Sequence, residues 1–250
     1  MDVVLETFAD GVFTITLNRP EKKNAMSLEL LKGLSESLAR AEAQGAAVIV
    51  LRGAGKTFCA GGDILEFRQS ERIDAQIDAM ADYLHKGIQK IRHINAIVIA
   101  VVEGLAFGAG LSLSLACDLT VAETKAIMNM AYRRIGLSPD GGGSLFLSRL
   151  VGAKKFNELY LLSRNIEMQE AMELDLVNFV FDDAELDAKL ATLVRDLKAL
   201  PFDSISRFKE LTNLSLFSGL GTHLDKERRF VAELGMQPAF KQRLDAILKR

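Results

Sequence analysis

Two short stretches without a polar side chain, residues 47–51 and 96–102, constrain this chain more than any other feature. A strand that is apolar at every position, rather than at alternate ones, has to be covered on both faces, and a parallel sheet overlaid by helices provides that cover. Val12 to Leu17 is rich in β-branched residues and reads as a further strand, ending at Asn18-Arg19-Pro20. Between these strands the apolar spacing becomes helical. Ser27 is suited to cap a helix running to about Ala43, with Leu30, Leu31, Leu34 and Leu38 on one side and Gly45 marking its end. A second helix is expected around Met80 to Arg92. Strands alternating with helices define an α/β fold.

Further along, residues 111–116 suit a tightly packed small-residue helix, and residues 119–122 a short strand. Helical patterns are expected at 145–150, 154–162 and 168–174, followed by a strand at 176–181. Beyond Ala184 the chain reads as helical, with interruptions near Pro201 and at Gly219 and Gly221.

The charge balance removes several function classes. With 33 acidic against 31 basic residues and a net charge of -2, nothing in the chain favours nucleic acid or an anionic membrane as partner. The N-terminal residues lack a secretory pattern, and the apolar run at 96–102 is too short to cross a bilayer, so a cytoplasmic location is expected. Cys59 and Cys117 lie in apolar segments without metal-ligand spacing. A reduced compartment suits them.

Three local motifs fail on inspection. Gly55-Lys56-Thr57 lacks the earlier glycine of a phosphate loop, because position 50 is Val50; Gly108-Ala109-Gly110 lacks a dinucleotide fingerprint's third glycine, because position 113 is Leu113. Ser144 lacks the second glycine of a nucleophile elbow, which would be Phe146. Two other turns carry more information. Phe58-Cys59-Ala60-Gly61-Gly62-Asp63-Ile64 and Glu103 to Gly110 each follow a buried strand, and their small residues allow a ligand to approach main-chain N–H groups. Taken singly, either turn is equally well explained by tight packing alone.

Together with Leu17-Asn18-Arg19-Pro20, Asn24-Ala25, Ala116-Cys117-Asp118, Gly136, Pro139 and Gly141-Gly142, these segments resemble the enoyl-CoA hydratase/isomerase, or crotonase, family across nearly the whole chain. The resemblance implies a spiral of ββα units over residues 1–195 and a helical C-terminal assembly region over 196–250, forming homotrimers or hexamers. Phe230, Leu234 and Phe240 are the apolar residues expected to serve that assembly. It also implies an acyl-CoA substrate with no separate cofactor and no metal. The N–H groups of Ala60 and Ala109 are expected to hold the thioester oxygen. Matching positions for substrate are Lys22, Lys23, Ala25, Ala60, Gly62, Asp63, Ile64, Gly108, Ser112, Tyr132 and, near the C-terminus, Lys249.

Hydratase members of the family use two glutamates; the corresponding positions here are Ser112 and Tyr132, which argues against ordinary hydration. The carboxylate on offer is Asp140, in Leu137-Ser138-Pro139-Asp140-Gly141-Gly142-Gly143. An Asp between Pro and Gly is ordinarily a turn residue. The resemblance to ring-1,2-epoxyphenylacetyl-CoA isomerase, which carries aspartate here, implies a base whose proton affinity burial would raise. The expected function is therefore isomerisation of an enoyl-CoA or a related ring epoxide, with hydration as the alternative. Dehalogenase members pair such an aspartate with a helical histidine; His85 falls one residue from that place and the chain has no Trp. His93 and His223 read as surface or structural residues.

Overall fold

Residues 2–249 are described by the computed structural model. Both apolar runs become interior strands of a six-stranded sheet. Its order is β1 (Val4–Ala9), β2 (Val12–Leu17), β3 (Val48–Gly53), β4 (Ile97–Val102), β6 (Leu119–Glu123) and β9 (Phe179–Phe181). All neighbours pair in parallel except β1 with β2. Alternate residues explain why the strands are apolar throughout. Val48, Val50, Ile97, Ile99 and Val101 pack toward Leu186 and Leu190 of α7 (Asp183–Lys198), while Ile49, Leu51, Val98 and Ala100 join the main core on the other face.

That main core lies beneath α1 (Leu28–Ala43), α3 (Ile73–His93), α4 (Ala109–Ala116) and α5 (Gly143–Leu162). Ser27 caps α1 as its spacing predicts, its side chain accepting from Leu30 N–H at 3.1 Å. A smaller sheet of β5 (Leu105–Phe107), β7 (Ile127–Asn129) and β8 (Ile166–Glu167) runs alongside. The chain passes from β4 to β5 to α4, then from β6 to β7 to α5. This repetition is the expected ββα spiral. A parallel bridge from Cys59 to Ala106 carries the smaller layer back to the turn after β3.

Some elements depart from the sequence reading. β1 pairs with β2 through Asp10-Gly11, both in the left-handed region (φ 50 and 75), a hairpin turn that the sequence reading passed over. The segment after the Ala60 turn forms α2 (Ile64–Gln69), also unforeseen. The patterns at 145–150 and 154–162 are, as expected, two helical arms of α5, which breaks at Gly152, where the backbone is non-helical (φ 72, ψ 168). α6 (Met168–Glu173) is found where a short helix was expected.

The C-terminal region comprises the end of α7, then α8 (Phe202–Leu216), α9 (Leu220–Gly235) and α10 (Pro238–Leu248). Gly221 lies inside α9 without interrupting it. The boundary expected at 195/196 falls within α7. α9 packs along α3, where Gly235 leaves no room for a side chain against Ile77. Phe240 is wholly buried in its own chain, so its part is in the core rather than in assembly. Phe230 of α9 is exposed, and α8 exposes Phe208, Leu211 and Leu214. Among the described residues no helix is long and apolar enough to cross a membrane.

Candidate active site

The turn after β3 and the turn before α4 touch. A side chain on Gly61 would come within 2.8 Å of Phe107 O, and one on Gly110 within 2.8 Å of Cys59 Cβ, so glycine at both positions permits the approach. Gly61 also has φ 95. Both turns open into a cavity of about 840 Å³, whose wall includes Ala60, Gly62, Gly108, Ala109, Tyr132 and Asp140. Phe67, Ile77, Met80, Leu84 and Val231 provide an apolar side. Arg133 and Arg243 also line it.

The main-chain donors in these turns differ in availability. Ala60 N–H donates to Lys23 O at 3.0 Å, and Asp63 N–H to Met26 O at 2.9 Å. Gly62 N–H has no acceptor among the described residues. Ala109 opens α4, so its N–H has no partner within the helix and lies at the positive end of the helix dipole. Among the described residues, Gly62 and Ala109 thus each offer a free donor on the cavity wall, one from each turn. Of the pair expected from sequence, Ala60 is already engaged.

Asp140 sits on the loop before α5, 8% exposed. His85, from the middle of α3, brings Nε2 to 2.6 Å from Asp140 Oδ1. His85, read from sequence as one residue from the dehalogenase histidine's place, thus meets the carboxylate from α3. Burial works against a charge on His85, but the hydrogen bond and charge of Asp140, followed by the charge of Glu227, outweigh it and raise its pKa above the ordinary 6.5. The lone desolvated carboxylate expected from sequence is instead a carboxylate shared with an imidazole.

Ser112 and Tyr132 meet at the same place. Their hydroxyls lie 2.8 Å apart, and Tyr132 donates to Asp140 O at 2.8 Å. Ser112 thus supports Tyr132, which supports the loop carrying Asp140. Burial, followed by the charge of Asp140, keeps the Tyr132 phenol well above its usual pKa and hence neutral.

Glu227 of α9 completes the cluster and was missed in the sequence, where it is one acidic residue in an amphipathic helix. It accepts from Gly142 N–H at 2.6 Å, from Ser144 N–H at 3.1 Å and from the Ser144 hydroxyl. One atom each from His85, Asp140 and Glu227 lies within 4.8 Å of the others. These groups are engaged by their own hydrogen bonds. His223, read from sequence as a surface or structural residue, lies 2.7 Å from Ser144 Oγ through Nε2. His93 bonds to Gln89 O of its own helix, as a surface residue would.

The residues expected around coenzyme A are dispersed. Ile64 lines the cavity, whereas Lys22, Lys23 and Lys249 are exposed outside its wall. The carboxylate of Asp63 caps α2 through Leu65 and Glu66 N–H and pairs with Arg19 at 2.8 Å, so that side chain is engaged within the chain. Ala25 is likewise occupied: its N–H donates to Lys22 O and its carbonyl accepts from Arg19.

Comparison with known proteins agrees with this architecture. A sequence model described as enoyl-CoA hydratase/isomerase matches residues 7–249. A 1,2-epoxyphenylacetyl-CoA isomerase of Escherichia coli is 30% identical over 253 residues, covering 100% of this chain and 97% of the relative. A 4-chlorobenzoyl coenzyme A dehalogenase of an Arthrobacter species is 36% identical over 195 residues, 77% of this chain and 71% of the relative. The crystal structure of an enoyl-CoA hydratase from Mycobacterium avium subsp. paratuberculosis superposes with TM-score 0.90 at 27% identity, covering 98% of both chains.

Proposed function

The chain belongs to the enoyl-CoA hydratase/isomerase family, and from that membership we propose that it isomerises an acyl-CoA thioester, moving a double bond from the β,γ to the α,β position or rearranging a related ring epoxide. The observation that carries this reading is that Asp140 is the one carboxylate on the cavity wall among the described residues. Hydration by two carboxylates finds no second one there, because Ser112 and Tyr132 occupy the glutamate positions and bond to each other. A double-bond shift needs a single base.

In this mechanism Asp140 takes a proton from C2 of the acyl group. The resulting negative charge spreads onto the thioester oxygen, which is held by the N–H groups of Gly62 and Ala109. We assign Gly62 this role in place of Ala60 because Ala60 N–H already donates to Lys23 O. Fixed donors avoid the reorganisation that water would require, and losing one such donor costs about 3 kcal/mol. Asp140 then returns the proton to C4, and the double bond moves without consuming water. His85 keeps the carboxylate oriented. The apolar side of the cavity receives the acyl chain, while Lys22, Lys23 and Lys249 stand as candidate partners for coenzyme A phosphates. No metal or separate cofactor enters these steps.

A second reading, hydrolytic dehalogenation, is favoured by the 2.6 Å contact between His85 and Asp140 and by the dehalogenase relative. In it, Asp140 forms an ester bond to the aryl carbon as halide departs, and water cleaves the ester. The isomerase reading is preferred because the isomerase relative spans 100% of the chain. Tyr132, rather than a tryptophan, also stands beside Asp140.

Chromatography of products from 3-enoyl-CoA, 2-enoyl-CoA and 4-chlorobenzoyl-CoA separates the possibilities. Conversion of 3-enoyl- to 2-enoyl-CoA is expected. Exclusive hydration of 2-enoyl-CoA, or exclusive chloride release, would reject the proposal. We further propose that the exposed α8 face joins subunits into trimers or pairs of trimers in a location without membrane contact; light scattering showing monomer alone would contradict this assembly.

A further inference from the structure

Glu227 is 5% exposed and belongs to α9, the helix that also gives Val231 to the cavity wall. It is not part of the cavity wall. Its oxygens are directed at the start of α5, where the N–H groups of Gly142 and Ser144 and the Ser144 hydroxyl all donate to it. A buried carboxylate at a helix N-terminus is stabilised by those donors and by the helix dipole. The loop it grips is the one that carries Asp140, two residues before Gly142. Because Gly141 and Gly142 have φ 65 and 75, the loop lacks the backbone restraint that other residues would give.

We propose that Glu227 is a positioning residue for the His85–Asp140 pair: it ties the Asp140 loop to α9 and places a fixed buried negative charge beside His85. The inference rests on the reading of Asp140 as the acid/base. Its geometry is supported by the short separation, within 4.8 Å, among the three groups. The other charged or titratable groups near the pair do not supply this effect. Tyr132 bonds to the Asp140 carbonyl. Arg228 is committed to Asp78 and Asp82 of α3, and Lys86 to Asp82. His223 is engaged with Ser144 and lies 3.5 Å from Glu227.

Two physical effects follow. The loop tie keeps Asp140 aimed at the acyl group, and the nearby negative charge favours the imidazolium form of His85. Burial opposes ionisation of Glu227, but its bonds to His223, Ser144 and the two N–H groups outweigh this and keep it charged. A merely structural glutamate would support folding through the first effect while leaving the titration of His85 alone.

The test follows the His85 ring by NMR in the full chain carrying ¹³C-labelled histidine, with His85→Gln assigning the signal. In Glu227→Gln the midpoint is expected to fall by about one pH unit or more, because one neighbouring charge is gone. The alkaline limb of kcat/KM for 3-enoyl-CoA should move with it. Ser144→Ala removes a loop contact without removing charge, and should lower melting temperature while leaving the His85 midpoint within about 0.3 unit. An unchanged midpoint in folded Glu227→Gln would overturn the proposal. If that variant does not fold, Glu227→Asp decides: it keeps the charge but withdraws it from Gly142, so kcat at least about tenfold lower at unchanged KM supports the proposal, and wild-type kcat overturns it. The NMR midpoint needs no substrate, so failure of the isomerase reading, seen as full activity in Asp140→Asn, is distinguishable from failure of this inference.

Discussion

The two sides of the cavity are built in different ways. One side consists of main-chain groups at Gly62 and Ala109, placed by two turns that each follow a sheet strand. The other presents Asp140 of the loop before α5, backed by side chains of α3 and α9 that meet across up to 142 residues of sequence at His85 and Glu227. The backbone side tolerates side-chain exchange wherever the turn geometry survives. The side-chain side depends on helix packing, and a single functional group can remove its chemistry.

Breaking the backbone side at its tightest point should have the largest effect. Gly110→Ala places a methyl carbon inside contact distance of the Cys59 backbone and 2.8 Å from Cys59 Cβ. Overpacking against main chain costs about 1–3 kcal/mol, and separating the two turns spoils both donors at once. We expect a marked fall in melting temperature, and loss of isomerisation even in the folded fraction, measured by calorimetry and product assay. Wild-type turnover by Gly110→Ala would show that the turns need not touch.

On the side-chain side, His85→Gln keeps a hydrogen-bonding amide near Asp140 but removes the charge. Turnover should fall by roughly 10–100-fold, and the alkaline limb should lose its His85 component. The sign for stability follows from the raised pKa of His85. Its stabilising contribution is fully present below about pH 6.5, the unfolded value, and is lost as pH rises through the higher folded value. Melting temperatures of wild type and His85→Gln should therefore converge with increasing pH; a gap that widens would contradict the assignment.

Smaller effects are expected where a hydroxyl only supports the loop. Tyr132→Phe removes the bond to Asp140 O and should cost about 1 kcal/mol, with turnover reduced less than about tenfold; Ser112→Ala should be milder still. Ala109→Gly keeps the N–H donor and should leave turnover within about twofold. A large loss there would mean that the methyl group, rather than the main chain, serves the reaction.

This contrast also explains what was legible in the sequence. The apolar runs at 97–102 and 48–51 announced buried strands, because their environment is local and uniform. Ser27 announced its helix, and the glycine turns announced where main chain comes close to a ligand. The Asp140 loop was readable from Pro139 and its glycines. What could not be read depends on register between distant helices: His85 meets Asp140 only because α3 lies across the loop, and Glu227 reaches α5 only because α9 packs along α3. Asp63 and Ala60 mark a different limit. Their places in the turn were apparent, but their groups are taken by Arg19, the start of α2 and Lys23, which only the folded chain shows.

The central claim is that Asp140 performs the proton transfer. Asp140→Asn preserves approximate size while removing the acceptor, so rate, acyl-CoA affinity and melting temperature should be measured together on that one variant. Isomerisation is expected to fall by at least about 100-fold at nearly unchanged affinity. If Asp140 is only a turn residue, melting temperature will fall while the rate per folded site stays near wild type, and that result would contradict the account.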